Sequence, residues 1–133
     1  MNVLVTGPDG LLGSNLVREL ISRKYKVFAF VEKNKDPKTI SDLDLEMIQG
    51  NILEQSDVLA ATKDMDVVIH CAATAYEGFS VFSPSFVTKN IFEASVATFS
   101  AAINNNIKKI IFCSSMARYG EQNYPFTENM VTK

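Results

Sequence analysis

Short apolar runs alternate along the chain with longer stretches in which apolar residues recur every three or four positions. Asn2 to Thr6 is apolar and ends at Gly7, the pattern of a buried strand. Leu12, Leu16, Val17, Leu20 and Ile21 share one helical face, so a helix is expected over Leu11 to Lys24. Lys26 to Val31 predicts a second strand, and the polar residues 32–43 a loop. A third strand is expected over Leu45 to Ile48, a short helix over Ser56 to Thr62, and a fourth strand over Asp66 to His70. Residues 74–85, rich in serine and aromatics, read as loop. A long helix follows from about Ser85 to Asn105, with Ile91, Ala94, Ser95, Phe99, Ala102 and Ile103 as its inner stripe. Its many small residues suit close packing on a sheet. Lys108 to Cys113 predicts the fifth strand.

These strands are apolar throughout, as a parallel sheet covered on both faces requires. The alternation of strand and helix points to the α/β class: a doubly wound parallel sheet of Rossmann type with strand order 3-2-1-4-5. The 133 residues suit one domain or part of one.

Charge removes some functions. The net charge is −2 and no large basic patch exists, which argues against a nucleic-acid partner. Arg23 to Lys26 and Lys33 to Lys38 read as solvated turns. No run of 18 apolar residues occurs, so no membrane helix is expected, and Met1-Asn2 leads into a strand rather than a signal peptide. Two cysteines, Cys71 and Cys113, do not make a disulfide scaffold, and a cytoplasmic location is expected. One histidine and two distant cysteines cannot complete a zinc site.

The first strand-to-helix turn carries chemistry. Gly7, Gly10 and Gly13 form G-x-x-G-x-x-G between a strand and a helix. Gly7 permits the tight turn, Gly10 lets a pyrophosphate approach the backbone, and Gly13 lets the helix lie close on the strand; the first helical amides then face the phosphates. The alternative is a glycine-rich turn with no ligand. A dinucleotide site also needs a group at the adenosine ribose, and Glu32 lies 19 residues after Gly13. Its carboxylate would accept from the ribose hydroxyls and repel a 2′-phosphate, which favours NAD over NADP. Val31 is an alternative strand end, and Lys33 and Lys35 are near enough to meet a phosphate.

In these residues the chain resembles the extended short-chain dehydrogenase/reductases, the NAD-dependent epimerase/dehydratase group, along its whole length. VTGPDGLLG (residues 5–13) is similar to that family's glycine loop, which places Leu11 and Leu12 beside the glycines at the cofactor. Gly50-Asn51-Ile52 stands where the family has Gly-Asp-hydrophobic at the adenine, with Asn for the acid. DVVIHCAA (residues 66–73) resembles the segment whose small residues, here Cys71, Ala72 and Ala73, pass under the cofactor. Asn90-Ile91 resembles the start of the family's N-V-x-G-T helix, although Glu93 and Ala94 replace its Gly and Thr. SSMARYG (residues 114–120) resembles S-S-x-x-x-Y-G. Lys24 is a further departure, since relatives often carry glycine there as a left-handed helix cap; Lys in that conformation costs on the order of 1 kcal/mol.

The resemblance implies an activity on nucleotide-linked sugars. A Tyr in Y-x-x-x-K removes a proton from a substrate hydroxyl, hydride passes to NAD, and a Ser or Thr orients the substrate oxygen. Ser115 takes that last role and Ser114 lies beside it; the plainer reading is that both serve backbone groups at a strand end. Tyr25, Tyr76, Tyr119 and Tyr124 are followed four residues on by Ala29, Ser80, Asn123 and Glu128, so Y-x-x-x-K is absent from these residues. The expectation is an N-terminal piece of a longer, homodimeric enzyme, with apolar sheet surface exposed, weak dinucleotide binding and no turnover. A non-catalytic dinucleotide-binding module and an NADP-dependent ketone reductase of the same family remain alternatives. His70 reads as a packed residue rather than a base. Cys71 and Cys113 end neighbouring strands and read as buried small hydrophobes brought close together. Tyr76, Phe79, Phe82 and Phe86 form either a lid or core anchors.

Overall fold

Strand β1, Asn2–Thr6, is flanked by strands on both sides, and all four of its residues from Val3 are buried. The computed structural model describes residues 1–123 and 125–132, with Glu77 described for its backbone only; Tyr124, one of the four tyrosines, lies outside them. The further strands are β2, Lys26–Glu32, β3, Glu46–Gly50, β4, Val67–His70, and β5, Lys109–Phe112. All pair in parallel, in the expected order β3-β2-β1-β4-β5. Helix α1, Leu11–Ser22, covers one face, and α2, Gln55–Thr62, lies on the other.

Alternate side chains of β1 feed two cores. Val3 and Val5 pack with Val17 of α1, while Leu4 packs with Val58 and Ala61 of α2. Burial on both faces is why these strands read as unbroken apolar runs. The edge strand β5 differs. Ile110 joins the α2-side core, but Ile111, in register with Ile69 on the α1 side, is 41% exposed. Apolar sheet surface is therefore open there, as expected.

Two loop expectations fail. Residues 32–43 contain a 3₁₀ turn, Lys38–Ile40, and Ile40 is fully buried against Ala29 and Val31. Arg18 fastens this segment with two 2.8 Å bonds to Asp42 and one to the Thr39 carbonyl. Residues 74–85 are likewise not loop throughout: they hold α3, Glu77–Phe82, and the start of α4, Pro84–Thr88. The long helix runs on from α4 through a π-helical turn, Lys89–Glu93, into α5, Ala94–Asn104. Its buried stripe is Ala94, Ser95, Thr98, Ala101 and Ala102; Ile103 is 69% exposed. Ala94, Ser95 and Ala102 are on the expected stripe, and the small residues Thr98 and Ala101 take the places expected for Phe99 and Ile103.

Lys24 does sit in the left-handed region, at φ 64°. It occupies C′ of a Schellman closure in which the Tyr25 amide bonds the Leu20 carbonyl and the Lys24 amide that of Ile21.

Candidate functional site

The turn after β1 and the turn after β4 meet where the sheet reverses its winding. Gly7 has φ 64°, and a Cβ there would lie 2.7 Å from the Ala72 Cα. A Cβ on Gly13 would lie 2.0 Å from the Gly7 carbonyl oxygen. Both positions need glycine so that α1 can close on the strand ends. Gly10 is different. It is exposed, its φ of −75° suits any residue, and a Cβ would meet only the Gly7 oxygen at 3.5 Å, an ordinary contact. Nothing in the protein itself demands glycine there. Gly10 is also the N-cap of α1 and supplies no side chain to the first-turn amides of Leu11, Leu12 and Gly13, which lack carbonyl partners one turn back. No acidic residue occupies that first turn.

A cleft of about 240 Å³ opens over this turn. Of the residues picked out in the sequence, Gly7, Glu32, Asn51, Ile52, Ala72, Ala73 and Asn90 line it. Glu32 is the last residue of β2, paired with Gly50 of β3, so the strand runs one residue past Val31. Gly10, Leu11, Leu12 and Gly13 stand outside the cleft lining, with Leu11 88% exposed at the helix start. Cys71 is not among the residues lining the cleft.

The cleft mouth is ordered by charge. Lys35 pairs with Asp9 at 2.9 Å, and the Asp9 hydrogen bond raises its pKa. Lys33 pairs at 2.7 Å with Asp57, which also accepts from the Asn51 amide at 2.9 Å. Lys33 first, then that amide, hold the Asp57 carboxyl below its usual range. Both lysines that were near enough for a phosphate are thus engaged with carboxylates. The Asn51 side-chain oxygen accepts from the Leu53 amide at 3.0 Å and closes the turn after β3. Asp9 was missed as a cleft residue because its pairing with Lys35 spans the glycine loop and a segment read as loop.

A second cavity of about 470 Å³ adjoins the first and shares Ala72, Ala73 and Thr74 with it. Ser114 and Ser115 line it, with Ile91 of the π turn and Phe112. The π turn thus presents Asn90 to one cavity and Ile91 to the other. Ser115 is the N-cap of a 3₁₀ turn, Met116–Tyr119, and its Oγ accepts from the Ala117 amide at 3.1 Å. Its own proton is left to be donated. Tyr76 and Ser80 also line this cavity. Tyr76 and Phe82 are 72% and 86% exposed, so core anchoring does not describe them; Phe79 and Phe86 meet edge to face at 5.8 Å.

A connected polar chain runs from β1 through β4 to Ser95 at the wall of the larger cavity. The Ser95 Oγ donates to the Ile91 carbonyl at 2.6 Å, which commits its proton. Ser95 therefore accepts from His70 Nε2–H at 3.0 Å, and Nδ1 accepts from the Thr6 hydroxyl at 2.7 Å. Thr6 Oγ1 in turn accepts from the Ala72 amide at 3.2 Å. Each donor has one acceptor, so the tautomer follows from the connectivity. Burial pushes the His70 pKa down to about 4. The neutral ring, 1% exposed and stacked on Phe112, is a packed residue, as expected. Among the described residues no cluster of metal-ligating side chains occurs, and no helix is long and apolar enough to cross a membrane.

Sheet order, glycine turn and paired cavities define a Rossmann-type α/β protein. The family model for the NAD-dependent epimerase/dehydratase family matches residues 3–133, and the chain belongs to that family. A putative UDP-arabinose 4-epimerase of Arabidopsis thaliana is 31% identical over 96% of this chain and 32% of its own length. A UDP-glucose 4-epimerase of Halalkalibacterium halodurans is 30% identical over 91% of this chain and 36% of its own. A sterol-4-alpha-carboxylate 3-dehydrogenase of Dictyostelium discoideum is 38% identical over 54% of this chain and 22% of its own. The chain thus spans about a fifth to a third of these relatives. Among solved structures, a Stenotrophomonas maltophila UDP-glucose-4-epimerase with bound NAD and formylated UDP-arabinopyranose superposes with a TM-score of 0.89. It is 27% identical, over 100% of this chain and 43% of that one. A Methanobrevibacter ruminantium UDP-N-acetylglucosamine 4-epimerase, in complex with UDP-N-acetylmuramic acid, gives a TM-score of 0.85 and 36% identity over 99% of this chain and 44% of that one.

Proposed function

We propose that residues 1–133 are the N-terminal, NAD-holding part of a nucleotide-sugar epimerase or dehydratase. The observation that carries this reading is Gly10. Two glycines of the turn are demanded by the protein's own packing, whereas the third is free of it and borders uncapped helix amides. A pyrophosphate laid against that backbone explains the residue. The donor set fits the rest of the group. Glu32 ends β2 where the adenosine ribose would lie, Asn51 and Ile52 flank the adenine side, and Ala72 and Ala73 with Asn90 follow along the dinucleotide. Glu32 repels a 2′-phosphate and the lysines beside it are already paired, which supports NAD over NADP.

Bound NAD supplies a hydride acceptor and donor at a sugar carbon. Ser115, in the adjoining cavity, donates its free proton to the substrate oxygen and orients it; Ser114 lines the same wall. The family's proton-transferring Tyr-x-x-x-Lys is not among residues 1–133, so this part binds and positions without turnover.

Calorimetric titration of the chain with NAD and with NADP tests the proposal. Weak binding, tighter for NAD, is expected. A folded, monodisperse sample that binds neither rejects it.

A further inference from the structure

We propose that Cys71 and Cys113 form an oxidisable dithiol site, which closes to an intramolecular disulfide when a hydroperoxide reaches Cys113. The two residues lie one position beyond the last β4–β5 register pair, His70 with Phe112. The ladder still holds them: the Cys71 amide bonds the Thr6 carbonyl and the Cys113 amide the His70 carbonyl, each at 3.2 Å. Neighbouring strands stand about 4.8 Å apart, inside the roughly 4.4–6.8 Å that disulfide Cα pairs span. The two Sγ atoms are already 3.5 Å apart, so bonding at about 2.05 Å needs a small approach along a line they share.

The surroundings assign the two thiols different roles. Cys113 lines the larger cavity and meets the solvent it admits. Both thiols are half-buried, but Cys71 lines neither cavity. Burial, with the Cys113 contact added, pushes its thiol up to about 12, so it stays protonated at neutral pH. Cys113, the thiol that peroxide can reach through the cavity, is the one that attacks. Its sulfur takes one oxygen from hydrogen peroxide, releasing water and leaving a sulfenic acid. Cys71 sulfur then displaces that hydroxyl as a second water, with loss of its own proton. Two thiols and one peroxide become one disulfide and two waters. The bond joins the strand ends that carry Ala72 to Thr74 on one side and Ser114-Ser115 on the other, at the wall between the two cavities. The reaction needs no ligand in either cavity.

The test is peptide mapping of the reduced chain after treatment with hydrogen peroxide, under non-reducing conditions. The expected product is a monomer lighter by two hydrogens, with the Cys71 and Cys113 peptides linked, both thiols lost together, and full reversal by dithiothreitol. In Cys113→Ser the remaining thiol is expected to react about tenfold more slowly or less. In Cys71→Ser, Cys113 is expected to stop at sulfenic or sulfinic acid. Three results overturn the proposal: both thiols survive peroxide that oxidises free cysteine, Cys113 of the unmodified chain becomes sulfinic with Cys71 still free, or the linkage forms only between chains. All three are read on the unmodified chain, so the outcome does not depend on whether a variant folds.

Discussion

Replacing Gly10 by Ala separates folding from binding at a single atom. The new Cβ meets only the Gly7 oxygen at 3.5 Å, and the backbone at φ −75°, ψ 172° accepts any residue. Ala is a poorer N-cap than Gly by roughly 0.5–1 kcal/mol, while the stiffer unfolded chain returns about 0.4–1 kcal/mol. Folding stability should therefore move by less than about 0.5 kcal/mol. Binding should not be spared. The methyl occupies the space through which a pyrophosphate reaches the amides of Leu11, Leu12 and Gly13. Losing one charged hydrogen bond is worth about 1.5–3 kcal/mol, so affinity for NAD should fall roughly tenfold or more. Urea denaturation followed by calorimetric titration of the same preparation reads both quantities. Gly7→Ala is the contrast: a Cβ 2.7 Å from Ala72 at φ 64° should damage folding itself, by roughly 1–3 kcal/mol. If Gly10→Ala binds NAD as the parent does, the pyrophosphate does not lie on this turn. If it unfolds the chain, the space seen at Gly10 is wrong.

Glu32→Ala should weaken NAD and narrow the preference over NADP, since it removes both the ribose acceptor and the charge that repels a 2′-phosphate; paired titrations with the two nucleotides check this. His70 should make stability depend on pH. Its folded pKa of about 4 lies below the ordinary 6.5, so its contribution is whole above pH 6.5 and is lost as pH falls through 4, by up to roughly 3 kcal/mol. Denaturant midpoints across that window should show the slope, and His70→Gln should flatten it. Lys24→Gly should stabilise the chain by about 1 kcal/mol without touching either cavity, because the Schellman closure holds the residue at φ 64°; thermal unfolding reads the gain.

Local signals carried the strands, the glycine turn and the sheet order. A residue buried on both faces must be apolar, so β1 could be bounded from the sequence at Asn2 and Thr6, as found. Gly7 and Gly13 were legible because a tight turn and a close helix leave no room for a Cβ. The left-handed cap at Lys24 was visible as a departure from a pattern. What sequence did not reveal depends on contacts between distant segments. The buried stripe of α5 runs through Thr98 and Ala101 rather than Phe99 and Ile103, because packing on the sheet selects among apolar and small residues that periodicity alone leaves equivalent. Ile40 is core because it packs on Ala29 and Val31 of β2, a contact its own polar segment does not signal. The His70 tautomer rests on Thr6 and Ser95, from a strand and a helix far apart in sequence. Pairing of Lys33 and Lys35 with Asp57 and Asp9 likewise requires the loops to meet. Periodicity and glycine spacing record what one segment needs from its immediate neighbours. Charge pairing and proton direction are set by the tertiary fold, because each is a property of groups that only folding brings within bonding distance.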